Sequence, residues 1–275
     1  MPKPFESEPK KEQPSLRPEG VSFETPIGQT YDNIKIDFPE KDLSIRQAFS
    51  DHPELRDIIG KAREFKMEYP GTFNGVLLGD SEIKSAEGNT LELSAQRLHY
   101  HIYFAAHQLR QEQADSMKER YAALSTAGVV YDRVRRCFYM SVRPKDSQEQ
   151  PGLIDAPGGV LNPDFKNADP METIKDRFAR KLGIKVEDIK ALGLERFFDE
   201  HYSLYNIAMY GEVEDNQPTV DQVGFATIPL DELGDYLNSD KLTGPAKATL
   251  LLALSQDQFK DQGWGKERVQ QIMES

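Results

Sequence analysis

One segment of the chain, residues 169–183, carries signals for both ends of a helix. Asp169 is a good N-cap residue, and Pro170 suits the first helical position because the N–H it lacks would have no helical partner there. Gly183 is of the residue type that ends helices in the left-handed conformation. The sequence therefore predicts a helix from about Pro170 to Leu182.

Short apolar runs on both sides of this helix predict strands. They lie near residues 126–131, 137–142, 191–198, 205–213 and 225–228, and further helices are predicted from residue 229 and near 245–256 and 264–274. We therefore predict a domain over residues 121–275.

The first part of the chain has a different character. Residues 1–20 are rich in Pro, Glu, Lys and Ser, so we expect a disordered tail. Residues 21–120 predict an N-terminal α+β extension. Its predicted elements are a strand at 31–38, a helical segment at 46–68, a small β-meander with a turn at Gly79-Asp80, and a helix with Ser94 as its N-cap.

Composition limits the classes of partner. The formal net charge of -12 disfavours nucleic acid, because a phosphate backbone is repelled by the protein as a whole. The single Cys137 excludes an internal disulfide and fits a reducing compartment. No run approaches the ~20 apolar residues needed to cross a bilayer, and the N-terminus lacks the order of a secretory signal. We therefore expect a cytoplasmic protein without a membrane partner.

Residues 122–240 resemble a Nudix hydrolase domain in an ordered set of features. The features are Gly128-Val129-Val130-Tyr131-Asp132, a strand ending in Val142-Arg143, Ala156-Pro157-Gly158-Gly159, the helix end Leu182-Gly183-Ile184, and Asp221 to Phe225 leading to Ile228-Pro229-Leu230-Asp231-Glu232-Leu233. The resemblance implies a Nudix-type α/β/α sandwich with a mixed sheet. It also implies a phosphate-containing small molecule as the ligand.

The Nudix box that this resemblance locates is degenerate. In the family, glutamates one turn apart on the helix hold magnesium against a pyrophosphate. With Gly183-Ile184 aligned, those positions carry Arg177, Arg180 and Lys181, and a further upstream glutamate falls on Ala168. Guanidinium and ammonium groups cannot bind a metal ion. We therefore expect no metal site of the usual kind and no cofactor.

Basic side chains in a phosphate cleft could instead contact the ligand directly. The predicted ligand-binding residues are Arg143, Gly158, Gly159, Arg177, Arg180 and Lys181. The alternative for the basic residues is an ordinary surface with salt bridges to nearby acids, and for the glycines a turn that needs no ligand.

Three hypotheses for the function stay open at this point. The first is a module that binds a nucleotide or a nucleoside-diphosphate derivative without hydrolysing it. The second is a divergent hydrolase of phosphoanhydrides, with magnesium held by acids such as Glu172, Asp176, Asp199 or Glu200, although surface carboxylates are the simpler explanation of these residues. The third is a protein-binding scaffold. A homodimer could form through the N-terminal extension.

Overall fold

The computed structural model of the protein describes residues 16–41, 50, 60, 76–100, 102–103, 121–147, 150–164, 168–198, 203–219 and 224–275. Most of the predicted tail and of the helical segment at 46–68 lies outside these residues, as do Asp199 and Glu200. In the described part of the chain, no helix has the length and apolar character that a membrane span requires.

The described strands form one mixed sheet. They are β1 (Val21–Phe23), β2 (Asn33–Asp37), β3 (Val76–Glu87), β4 (Thr90–His99), β5 (Ala123–Asp132), β6 (Cys137–Val142), β7 (Ile154–Asp155), β8 (Gly158–Val160), β9 (Ile189–Phe198), β10 (Ser203–Val213) and β11 (Phe225–Pro229). The main path runs β1-β9-β10-β5-β3-β4-β2, with β6 and β8 also pairing β5. β10 is parallel to β5 and β2 to β4, whereas the other pairs are antiparallel. The four strands before residue 121 thus belong to the same sheet as the later ones.

Helices cover both faces of this sheet. They are α1 (Pro170–Leu182) on one face, and α2 (Leu233–Leu237), α3 (Gly244–Leu254), a 3-10 helix (Asp257–Gln262) and α4 (Lys266–Glu274) on the other. Alternate residues of β5 point to opposite faces, so Val130 packs in the core with α1 and Val129 in the core with α3. The predicted α/β/α sandwich with a mixed sheet is confirmed.

The predicted bounds of α1 are confirmed at both ends. The Asp169 carboxylate accepts hydrogen bonds from the backbone N–H of Met171 at 2.8 Å and of Glu172 at 3.3 Å. Gly183 ends the helix with a φ of 68°. Ile174 and Phe178 are fully buried against the sheet, one turn apart. The opposite, solvent-facing side of α1 is therefore free to carry charged residues.

Two predictions for the N-terminal extension are wrong. β3 continues through Gly79-Asp80 to Glu87, and β4 continues through Ser94 to His99, so the helix expected after Ser94 has Tyr100 as its first residue. The turn between them lies at Gly88-Asn89, and Gly88 has a φ of 56°. Pairing between two long antiparallel strands outweighs the local helical spacing, because each strand satisfies the backbone groups of the other.

Gly128 allows α1 to approach β5 closely. A Cβ atom at this position would lie 2.7 Å from Cζ of Phe178 and 3.1 Å from Cγ1 of Ile174. Gly128→Ala is therefore expected to reduce the free energy of unfolding by ~1–3 kcal/mol, measured by urea denaturation. Gly234→Ala in α2 is the matched control, since no atom lies within 4 Å of its added Cβ and alanine favours a helix. Equal stability of the two variants would contradict this packing argument.

Candidate functional site

The candidate site lies where α1 passes β8. β8 is antiparallel to β5, with Gly158 opposite Ala127 and Gly159 opposite Thr126. A Cβ on Gly158 would lie 2.3 Å from the Thr126 carbonyl oxygen and 2.8 Å from the Ala127 Cα. The packing of β8 on β5 therefore accounts for Gly158 without any ligand. This agrees with the alternative that the glycines serve the local backbone geometry.

Gly159 leaves room for the Arg177 guanidinium, because it has no side chain. A Cβ added to Gly159 would lie 3.0 Å from one terminal nitrogen of Arg177 and 3.3 Å from both Cζ and Nε. The guanidinium thus occupies the space that a side chain at position 159 would fill. Within the described part of the chain, the buried Nε of Arg177 has no hydrogen-bond partner. An unpaired buried N–H of a cation is costly, so this group suits an acceptor supplied by a ligand.

Arg143 is held by an acid that the sequence analysis did not single out. Its Nε donates a hydrogen bond to Oδ2 of Asp155 at 2.9 Å, with only 18% and 13% of the two side chains exposed. The other carboxylate oxygen of Asp155 accepts from Oγ1 of Thr243, the N-cap residue of α3, at 2.7 Å. Arg143 therefore forms a partly buried ion pair through its Nε. The only sequence signal was an acid just before Ala156-Pro157-Gly158.

Lys181 and Arg177 carry positive charge into partly buried surroundings. Burial lowers the pKa of the Lys181 ammonium; the Asp155 carboxylate opposes this shift, and Arg177 adds to it. Burial also lowers the pKa of the Arg177 guanidinium, with a further contribution from Arg180. Both shifts mean that the charged forms are disfavoured where they stand. An anion bound between these cations would relieve both desolvation and repulsion.

The other charged residues of α1 form pairs on its surface. Arg180 is bound to Asp176, and Nζ of Lys175 lies 3.3 Å from Oε1 of Glu172. These pairs agree with the interpretation of Glu172 and Asp176 as surface carboxylates. In the described ranges, no three His, Cys, Asp or Glu residues come together as metal ligands. The residues at the family's magnesium positions are cations, so the groups present do not fit that ion.

Part of the chain is similar to several solved structures. No family model matches the chain, and no curated protein does so either. Among solved structures, a MutT protein from Methanosarcina mazei Go1 is 18% identical, with 52% of this chain and 95% of that chain covered and a TM-score of 0.36. The NUDIX domain of Shewanella oneidensis NrtR, solved with ADP ribose, is 14% identical over 53% of this chain and 94% of that one, with a TM-score of 0.41. A MutT NUDIX hydrolase from Burkholderia pseudomallei is 19% identical over 47% and 95%, with a TM-score of 0.36.

The strands and helices around the site form an α/β/α fold. β5 and β6 precede Pro157 and the two glycines of β8, α1 packs on one face of the mixed sheet, and the later helices cover the other. The sequence features that resemble the Nudix family fall on these elements in the same order as far as the structure describes them. The chain thus has an α/β/α fold that resembles a Nudix domain, with cations on its central helix at the positions where that family carries glutamates.

Proposed function

We propose that this protein binds the phosphate groups of a nucleotide or nucleoside-diphosphate derivative without the metal-dependent hydrolysis usual for the fold. The observation that carries this proposal concerns the Arg177 guanidinium. It lies beside Gly159, and its buried Nε has no hydrogen-bond partner among the described residues. Lys181 adds a second, partly buried cation next to it on α1. In this proposal the cations Arg177 and Lys181 neutralise the phosphate charge, which a metal ion would otherwise do.

Arginine suits this role for a chemical reason. Its guanidinium is planar, stays charged, and presents N–H donors in a fork that matches two phosphate oxygens. The contact with Gly159 orients this fork before any ligand arrives. Less side-chain entropy is then lost on binding. Such a site should hold phosphate tightly without activating a water molecule for attack.

The test is calorimetric titration of the purified protein with ADP, ADP-ribose and inorganic pyrophosphate in the presence of EDTA. Binding without metal is expected, and it should weaken as salt increases because charges are paired. Arg177→Gln is expected to weaken each ligand by roughly tenfold to a hundredfold, since a hydrogen bond to a charged group is lost. Lys181→Gln should act in the same direction with a smaller effect.

Lys175→Gln is the matched control on the same helix, because Lys175 pairs with Glu172 and is not one of the predicted ligand-binding cations. Its affinities should equal those of the wild-type protein. Turnover of ADP-ribose that requires magnesium and stops in a Glu172→Ala/Asp176→Ala variant would overturn the proposal in favour of a divergent hydrolase. A complete absence of anion binding would favour a protein-binding scaffold.

Gly159→Ala tests the position of the Arg177 guanidinium separately from its charge. The added methyl group would lie 3.0 Å from a terminal nitrogen of Arg177, so the guanidinium must shift by a few tenths of an ångström. We expect pyrophosphate affinity to fall by about tenfold, because the fork is no longer oriented. Thermal unfolding measured in parallel should change little, since a flexible side chain can yield. Unchanged affinity would show that this contact does not position Arg177 for binding.

A further inference from the structure

A pocket of about 280 Å³ lies beside Arg177, and the N-terminal part of the chain forms one of its walls. Its apolar lining comes from Leu77 of β3 together with Val160 and Leu161 at the end of β8. Thr173, Asp176, Asn162 and the two arginines Arg177 and Arg180 add polar groups. One side of the pocket is therefore apolar, and another carries two cations and one carboxylate next to the phosphate site proposed above.

The apolar wall is held in place by backbone hydrogen bonds. The Leu78 N–H donates to the Leu161 carbonyl at 2.9 Å, and the Leu161 N–H donates to the Leu124 carbonyl at 2.9 Å. β3 is thereby tied to the end of β8 and, through it, to β5. Leu77 and Leu161 are fully buried from solvent, which leaves the half-buried Val160 as the more accessible apolar group. The pocket is thus built from fixed elements.

The chemistry of the pocket favours a flat, uncharged ring. Guanidinium groups stack on the faces of aromatic rings, and Arg177 and Arg180 both line the pocket. The charge of Arg180 is balanced by its pair with Asp176, so a neutral group is not excluded by excess charge. The side-chain oxygen of Asn162 accepts from the Asp164 N–H at 2.8 Å, which leaves the amide nitrogen as the group that can donate to a ring heteroatom.

The size of the pocket limits what enters it. Pockets for whole drug-sized ligands measure about 300–1,000 Å³, so this one is suited to a part of a ligand such as a single ring system. We propose that it receives the nucleobase of the ligand whose phosphates contact Arg177, with Val160 as the accessible apolar contact. This inference rests on the proposed function, and it gives the base a place beside the phosphate site.

The test uses Val160→Phe, which fills the pocket without changing any charge. The ratio of ADP affinity to pyrophosphate affinity is measured by calorimetry in EDTA, because only ADP carries a base. We expect this ratio to fall at least tenfold in Val160→Phe, and by less in Val160→Leu, which adds a smaller group. Val134→Phe is the control, since Val134 lies in the exposed turn after β5 with 63% of its surface accessible. Its ratio should equal that of the wild-type protein.

The outcomes separate this inference from the proposed function. If pyrophosphate and ADP both bind and the ratio stays at the wild-type value in Val160→Phe and Val160→Leu, base binding in this pocket is wrong while phosphate binding stands. The same conclusion follows if the wild-type protein binds ADP no more tightly than pyrophosphate. If neither ligand binds, both proposals are overturned. A melting temperature close to that of the wild-type protein checks that Val160→Phe is folded.

Discussion

The free energy of unfolding is expected to fall as the pH rises, because Glu195 is a buried acid. Glu195→Gln should remove most of this fall. Glu195 lies in β9 with no exposed surface. Its Oε2 accepts from Nδ2 of Asn206 at 2.6 Å and from Oγ1 of Thr249 at 3.3 Å, while its Oε1 has no partner within the described ranges. Burial raises the pKa of this carboxyl from 4.5 to about 8, although the hydrogen bonds from Asn206 and Thr249 oppose the shift.

The direction of the effect follows from the protons bound by each state. Between pH 4.5 and about 8, the unfolded chain has released the proton of Glu195 and the folded chain still holds it. The stability from this group is therefore complete below pH 4.5 and is lost as the pH rises through the folded pKa of about 8. The slope is at most ~1.4 kcal/mol per pH unit. Glutamine has no such proton, and its oxygen can accept both hydrogen bonds.

Urea denaturation at a series of pH values from about 5 to 8 measures this slope. The free energy of unfolding of Glu195→Gln should depend less on pH than that of the wild-type protein, and the two curves should diverge towards alkaline pH. Glu274→Gln is the control, because Glu274 is exposed in the last turn of α4. Parallel curves for Glu195→Gln and the wild-type protein would show that the buried carboxyl ionises without cost.

The elements that could be predicted from the sequence are those whose signals lie close together in the chain. For α1 the N-cap, the proline and the final glycine specify both ends locally, and the structure has the predicted bounds. The helix predicted after Ser94 begins later than expected, since Ser94 to His99 pair with β3 and the first helical residue is Tyr100. Such pairing is a long-range interaction that local spacing cannot reveal.

The candidate site also has features that the sequence predicts locally and features that depend on contacts between distant residues. Three of the cations of α1 could be named in advance from the position of the helix in the sequence: Arg177, Arg180 and Lys181. That Arg177 lies beside Gly159 while Arg143 pairs with Asp155 depends on distances between elements. The contribution of Leu77 to the pocket beside Arg177 connects residues far apart in the chain, and no sequence pattern indicated it.

Asp132→Ala is expected to destabilise the protein by at least ~3 kcal/mol, because one buried carboxylate joins the ends of three strands. Asp132 ends β5 with no exposed surface. Its Oδ1 accepts from the backbone N–H of Val134 and of Arg135 at 3.0 Å, and from that of Asp215 after β10 at 3.3 Å. Its Oδ2 accepts from the Tyr139 hydroxyl of β6 at 3.1 Å. Alanine would leave the buried Tyr139 hydroxyl and the three partly buried backbone N–H groups without this acceptor.

The pH dependence of this effect distinguishes charge from packing. Burial alone would raise the pKa of Asp132, but the hydrogen bonds from Arg135, Tyr139, Asp215 and Val134 outweigh it, so the pKa lies below its usual value of 3.8. The stabilisation is therefore complete above the unfolded pKa and is lost as the pH falls through the lower folded pKa.

The difference in unfolding free energy between the wild-type protein and Asp132→Ala, measured in urea, should be largest near neutral pH and smaller in acid. Asp146→Ala in the exposed loop after β6 should have no such effect. A difference that is independent of pH down to strong acid would assign the loss to packing and not to the carboxylate charge.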